Sequence, residues 1–321
     1  MTQIHNRILA ALVATMLAIP GMAADPVNPD ASPRPAGGIR TDFGDVQINN
    51  LGIGRTYNLR DLAGTPLKVT NTGADTANLV LSVEIPQDAM ITENRKALGY
   101  KPIPSVDWVS LGQSQFIVPS GESAYTDVII KIPNDPALYG KRFQADIYSR
   151  TTGSNFLNIG VWSHLQLNIA ESPEAQEAIE KNRKHGVVGN MEYTLLPDKL
   201  VIENASAGKT IDIRKELKRT IMIANSGADA IALALKVVPI GDTPLSLQSG
   251  YEAGNPEWLT TKSASVNVEG SSFADPGLML KLPNDPALAG KKLMWVMKVS
   301  PASADVVGVT YYGKLYVELA K

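Results

Sequence analysis

Lys131–Lys141 reads KIPNDPALYGK and Lys281–Lys291 reads KLPNDPALAGK. A near-identity separated by 281 − 131 = 150 residues is too widely spaced for a solenoid unit and about the size of a domain, so it predicts one fold carried twice. Once this pair sets the register, other blocks match. LKVTNTGADTANLVLSV from Leu67 answers IMIANSGADAIALALKV from Ile221, GYKPIPSVDWV from Gly99 answers GYEAGNPEWL from Gly250, and HLQLNIA from His164 answers KLYVELA from Lys314. The offset is 225 − 71 = 154 at the first block and 258 − 108 = 150 at the tryptophan, so copy two is shorter in one loop.

The blocks alternate apolar and polar residues around turn-forming ones, which predicts strands. Leu67 and Val69 precede an Asn-Thr-Gly-Ala-Asp turn, and Leu79, Leu81 and Val83 follow it; period two around such a turn is the signature of a hairpin. Val128, Ile130 and Ile132 alternate up to Pro133-Asn134-Asp135-Pro136, and Phe143, Ala145 and Ile147 resume beyond it. Proline sets φ and removes a donor, while Asn and Asp bond their own backbone, so this stretch is a corner between strands. Gly140 and Gly290 close the corner where a positive φ is expected.

Trp108 and Trp258 stand at matched positions, each before an aliphatic residue. Repeated spacing is what core packing predicts for so large a side chain. The alternative is a glycan- or partner-contacting aromatic surface made by Tyr100, Trp108, Tyr251 and Trp258.

The first 24 residues carry Arg7, an apolar run from Ile8 to Ile19, and the small residues Gly21, Ala23 and Ala24. This is the layout of a secretory signal, too short in its apolar part to span a bilayer comfortably. Residues 25–41 are rich in Pro and Gly and read as a tether, and DFGDVQINNLGIG after it reads as a first strand. Between the copies, residues 171–192 offer Ser172 as a cap, Pro173 for the first turn, early glutamates and late basic residues, which predicts a short charged helical linker.

The chain has no cysteine, which excludes disulfide staples, thiolate metal sites and cysteine nucleophiles. Thirty basic against thirty-two acidic residues leave a net charge of −2, which gives no support for a nucleic-acid partner. No Gly-x-Ser-x-Gly elbow, phosphate-binding loop or His-Glu-x-x-His helix occurs, and His164 and His185 lie in different elements, so neither catalytic residue, cofactor nor metal site is expected. Asn134–Asp135 and Asn284–Asp285 offer only two adjacent oxygen-bearing side chains each, which suits a hydrogen-bonded turn better than calcium.

Trp108-Val109, then PSGES at Pro119–Ser123, then the alternation into IPNDPALYGK resemble the immunoglobulin-like domains of bacterial secreted proteins, including those of WxL-associated cell-surface proteins. That resemblance implies a tandem pair that binds peptidoglycan and a protein partner ahead of a membrane anchor. Copy two departs from it with VEGSS at Val268–Ser272, and no anchor segment is visible.

The fold expected is therefore all-β: two tandem immunoglobulin-like antiparallel β-sandwich domains, residues 42–170 and 193–321, joined by a short helical linker. The function expected is that of a non-enzymatic exported protein of the periplasm, cell surface or extracellular space, binding an envelope or extracellular protein or a cell-wall glycan, with no transmembrane segment once the signal is gone. The alternatives are a periplasmic chaperone-like factor for exported subunits and a carbohydrate-binding module. The oligomeric state is left open.

Overall fold

Alternating apolar side chains become strands because every second residue of an extended chain faces the same side. In the computed structural model, which describes residues 38–41, 43–64, 66–153, 159–184 and 192–321, the first copy forms β1 (Ile39–Thr41), β2 (Asp45–Leu51), β3 (Thr56–Asn58), β4 (Leu67–Asn71), β5 (Ala77–Glu84), β6 (Tyr100–Pro102), β7 (Val109–Leu111), β8 (Gln115–Val118), β9 (Ser123–Thr126), β10 (Val128–Lys131), β11 (Arg142–Thr152) and β12 (Gly160–Ile169). The second forms β13 (Tyr193–Leu196), β14 (Lys199–Ala205), β15 (Thr210–Asp212), β16 (Met222–Asn225), β17 (Ile231–Val238), β18 (Glu252–Ala253), β19 (Leu259–Thr260), β20 (Ser265–Val268), β21 (Ser272–Ala274), β22 (Met279–Lys281), β23 (Lys292–Pro301) and β24 (Gly308–Leu319). Strand accounts for 47% and helix for 16% of the described residues, which makes them predominantly β. The helices are α1 (Leu59–Ala63), α2 (Glu93–Ala97), α3 (Pro173–Lys184) and α4 (Ile213–Leu217). Among the described residues no helix is long and apolar enough to cross a membrane.

The two sets of strands pair in the same order. In copy one, small sheets β1-β4-β9 and β3-β10-β7 face a larger one containing β12, β11, β5 and β8; in copy two, β13-β16-β21 and β15-β22-β19 face one containing β24, β23, β17 and β20. Each copy has its own apolar cluster, with Ile147, Leu165 and Leu167 fully buried in one and Leu233, Leu280 and Val317 in the other. Burying a side chain of this kind stabilises the fold by about 1.5–3 kcal/mol relative to leaving it in water.

The hairpin expected at Leu67–Val83 does not form. β4 pairs with β1 and β9, β5 pairs with β11 and β8, and the turn between them crosses from one sheet to the other. The reason is Asn71: its side chain is buried, donates to the carbonyls of Asp75 and Val118 at 2.8 and 2.9 Å, and accepts from the Gly73 amide at 2.9 Å. Asn225 repeats this in copy two with Asp229, Val268 and Gly227. An asparagine that occupies the turn and the β8 or β20 end together holds an arch open, and two strands joined by an arch stack instead of pairing.

The repeated corner has a similar explanation. Asp135 and Asp285 each accept a hydrogen bond at 2.9 Å from the amide two residues on, Ala137 and Ala287. Gly140 and Gly290 have φ of +68° and +71°, and their amides donate at 2.9 Å to Ala170 and Ala320, just beyond the last strand of each copy. Each copy thus pins its corner to its own terminus, which is why the segment occurs twice.

Two boundaries differ from the sequence reading. Ile39–Thr41 is not tether but strand, paired to β4; residues 25–37 of the predicted tether and the predicted secretory signal, residues 1–24, lie outside the described residues. The helix α3 is present but is not a free arm. Gln176 accepts from the Ile53 amide at 2.9 Å, Glu180 pairs with Arg55 at 2.5 Å, and Ile179 is buried, so α3 lies against copy one.

Candidate functional site

The feature that sequence patterning does not disclose is the seam between the copies. β2 pairs in parallel with β12 through Asp45↔His164 to Ile48↔Leu167, and on its other side pairs antiparallel with β24 through Gln47↔Thr310, Ile48↔Val309 and Asn49↔Gly308. One continuous sheet therefore runs from β20 in copy two to β8 in copy one, and the described residues all fall within one compact unit, Ala36–Lys321. Side chains reinforce the pairing. Asn49 Nδ2 donates to Thr310 Oγ1 at 2.8 Å, Tyr312 donates to Gln47 Oε1 at 2.6 Å, and Asn50, held at a φ of +63°, donates to the carbonyls of Ala304 and Val306 at 2.7 Å. Val309 is fully buried in the copy-one cluster.

One face of this sheet is polar where it meets copy two. Arg95 of α2, 4% exposed, donates to Pro244 O at 2.7 Å and Gln144 Oε1 at 3.0 Å, and makes a short ion pair with Asp45. Gln144 in turn donates to Asp146 Oδ1 at 2.8 Å, and the same oxygen lies 2.7 Å from His164 Nδ1. Asn94 donates to Leu245 O at 2.9 Å. A cleft of about 290 Å³ opens beside this network, lined by Asp45, Arg95, His164 and Lys314 together with Met294 and Tyr316. A charged guanidinium buried among acceptors from both copies acts as a clasp, since without it the buried Gln144 and Pro244 oxygens lose a donor where water is excluded; Asp45 is more open and also accepts from Gln166 Nε2 at 3.3 Å. The buried tyrosines nearby are held neutral. Burial lifts the Tyr312 hydroxyl well above its ordinary value, and lifts Tyr100 to about 12, partly offset by its hydrogen bond with Asn168.

The corresponding edges elsewhere are open. β14 occupies in copy two the place of β2, pairing in parallel with β24 through Lys199↔Lys314 to Ile202↔Val317, but no strand among the described residues pairs with its other side. Val201 on that edge is 39% exposed. In copy one, β12 pairs with β2 only from His164 onward, and no strand among the described residues pairs with Gly160–Ser163 on that side. Trp162 there is 37% exposed, its ring stacked on Tyr148 at 4.3 Å.

The aromatic residues considered from sequence lie apart from these edges. Tyr100 and Trp108 are 4% and 5% exposed, Trp108 packed edge-on against Phe143, so neither ring is offered to a glycan; core packing fills the position that repeated spacing suggested. Trp258 is half-buried against Trp295, and Tyr251 is half-buried, edge-on to Tyr316, with its hydroxyl donating to Glu318 at 2.8 Å. They do not form one surface with the copy-one pair. The functional residues missed were Arg95, Asp45, Gln144 and Asp146. A signal existed for some of them: polar residues at period two in strands otherwise apolar, Gln144 and Asp146 in β11 and His164, Gln166 and Asn168 in β12. Among the described residues no cluster of three or more His, Asp or Glu is arranged to hold a metal ion.

No family model and no curated protein matches this chain. Solved structures do, at low scores. The ASH/PapD-like domain of human CEP192 is 9% identical with a TM-score of 0.32, covering 48% of this chain and 99% of that one. A Porphyromonas gingivalis protein of unknown function is 12% identical with a TM-score of 0.31, covering 88% and 100%. The Salmonella enterica SafA pilin in complex with the SafB chaperone is 11% identical with a TM-score of 0.29, covering 88% and 96%. At these scores the likenesses carry no conclusion about activity or partner.

Proposed function

We propose that this chain is an exported, non-enzymatic protein of the envelope or extracellular space, built of two tandem immunoglobulin-like sandwiches, that engages another polypeptide by strand addition at the outer edge of β14. The observation that carries this reading is that the molecule already uses the same contact on itself. Gly308–Thr310 completes the sheet at β2, while the equivalent edge in copy two is left unpaired with Val201 outward. An unpaired edge is a template for a further strand, with backbone hydrogen bonds supplying affinity and flanking side chains supplying specificity. Export rests on the signal-like first 24 residues, and the tandem sandwiches on the resemblance to secreted immunoglobulin-like domains.

A chaperone-like role is the form this reading takes if the added strand belongs to an exported client subunit. The open edge favours it over the carbohydrate-binding alternative, because Tyr100 and Trp108 are buried. The test is a photo-crosslinking side chain placed at position 201, and at exposed Lys131 as control, in the protein within its own envelope. The expected result is an adduct with a polypeptide from position 201 alone. Illumination that yields no protein adduct there, or equal adducts from both positions, overturns the reading.

A further inference from the structure

We propose that the strand received by β14 comes from a second copy of this same chain, whose β12 start docks there to give a head-to-tail assembly; this rests on the strand-addition reading above. The argument is the internal repeat applied to its own seam. β14 and β2 correspond in register, since Lys199↔Lys314 matches Asp45↔His164. Val201 therefore stands where Gln47 stands, Ile202 where Ile48 stands, and Asn204 where Asn50 stands. Asn204 has a φ of +55° against +63° at Asn50, so the accepting edge in copy two is already bent as the occupied edge is.

The donor is equally well matched. His164 corresponds to Lys314, so Trp162 stands where Tyr312 stands, Gly160 where Thr310 stands and Ile159 where Val309 stands. In the occupied seam Gln47 and Tyr312 hydrogen-bond to each other and are each 8% exposed. At the two open edges the same two positions hold Val201 and Trp162, 39% and 37% exposed. Both members of a polar pair have been replaced by apolar residues, so the two open edges are complementary to each other. An exposed indole facing an exposed valine is an anchor of the kind that dominates protein interfaces, and Tyr148 stacking holds the indole in place.

Because the accepting edge lies in copy two and the donating edge in copy one, the contact is heterologous. It leaves one free acceptor and one free donor at the ends of every dimer, so it propagates into a chain or closes into a ring.

The experiment is sedimentation velocity on the full-length product purified after secretion, over a concentration series reaching about 1 mM. The wild-type protein is expected to grow past the dimer with concentration. Val201→Asp and Trp162→Asp are each expected to remain monomeric, with unchanged far-UV circular dichroism and melting temperature. An equimolar mixture of the two variants is expected to give a dimer and nothing larger, since one retains the donor and the other the acceptor. A wild-type protein monomeric throughout, or a mixture that does not complement, overturns the proposal. The chain has no cysteine of its own, so Val201→Cys and Trp162→Cys variants supply a second measurement. Oxidation of their equimolar mixture is expected to form the mixed disulfide well beyond the 1:2:1 ratio that random pairing gives, and a yield at that ratio overturns the proposal. If position 201 crosslinks only to a different polypeptide, the strand-addition reading stands and self-assembly falls; if it crosslinks to nothing, both fall.

Discussion

Replacing Arg95 by alanine tests whether the two copies are clasped through the polar face of the shared sheet. The guanidinium donates to Pro244 O in copy two, to Gln144 Oε1 and to Asp45. Removing it strands Gln144 Oε1, in a residue that is 0% exposed, and the Pro244 carbonyl, and leaves the Asp45 carboxylate with the longer bond from Gln166 Nε2 at 3.3 Å. Breaking a fully buried ion pair from one side costs about 3–5 kcal/mol. Asp45 retains 29% side-chain exposure and recovers some hydration, which places the loss near the lower limit, about 3 kcal/mol. For a unit of this size that corresponds to a fall in melting temperature of roughly 6 °C. The assay is urea unfolding followed by circular dichroism, with the slope compared between variants so that a change in midpoint reads as stability. Asp45→Asn and the double variant complete a cycle, and the two changes are expected to be strongly non-additive because they touch one ion pair. A loss below about 1 kcal/mol, or additivity within error, would refute the clasp.

Three further outcomes follow from the described geometry. Asn71→Ala and Asn225→Ala each remove the side chain that holds an arch open, taking a donor from two carbonyls at the first site and three at the second and an acceptor from one amide at each; each is expected to cost about 2–4 kcal/mol in chemical denaturation, and a cost below about 1 kcal/mol at both sites would show that the arch is held by its flanking strands. Gly290→Ala, at a φ of +71° with its nearest neighbour a Lys321 side-chain carbon 3.7 Å away, meets conformational strain without a clash, so a modest loss of about 1–2 kcal/mol is expected, readable as a small drop in thermal midpoint. Tyr100, Tyr193 and Tyr312 are raised above the ordinary 10.0 by burial, Tyr100 to about 12. The unfolded chain therefore ionises first as pH rises, so their contribution is complete below about pH 10 and lost progressively above it. A stability titration that is flat from pH 10 to about 12 would contradict their burial.

Much of the architecture was legible because its determinants are local. Period-two alternation around Leu79, Val128 and Ile147 specifies extended chain whatever it pairs with, and Asp135 and Gly140 carry their turn chemistry within a few bonds of their own backbone. The same locality explains the failure at Leu67–Val83. A hairpin and an arch share one alternation and one turn vocabulary, and they differ only in whether Asn71 reaches Val118, which lies 118 − 71 = 47 residues on. The extension of the repeat to β2 and β14 was available in principle, since GIGRTYNLRDL from Gly52 and SAGKTIDIRKEL from Ser206 share Gly54 with Gly208 and the helix caps Asn58 with Asp212.

By itself, the sequence determined that one β-rich unit occurs twice, where its corners fall, and which tryptophans repeat. Only the tertiary structure decided that Gly308–Thr310 closes the sheet at β2, that Arg95 binds acceptors from both copies, and that no strand among the described residues covers the edges bearing Val201 and Trp162. The physical reason is that strand pairing is made by backbone N–H and C=O groups, which every residue but proline carries alike. Which edge meets which is settled by the packing of distant segments, and no short stretch of the chain records it.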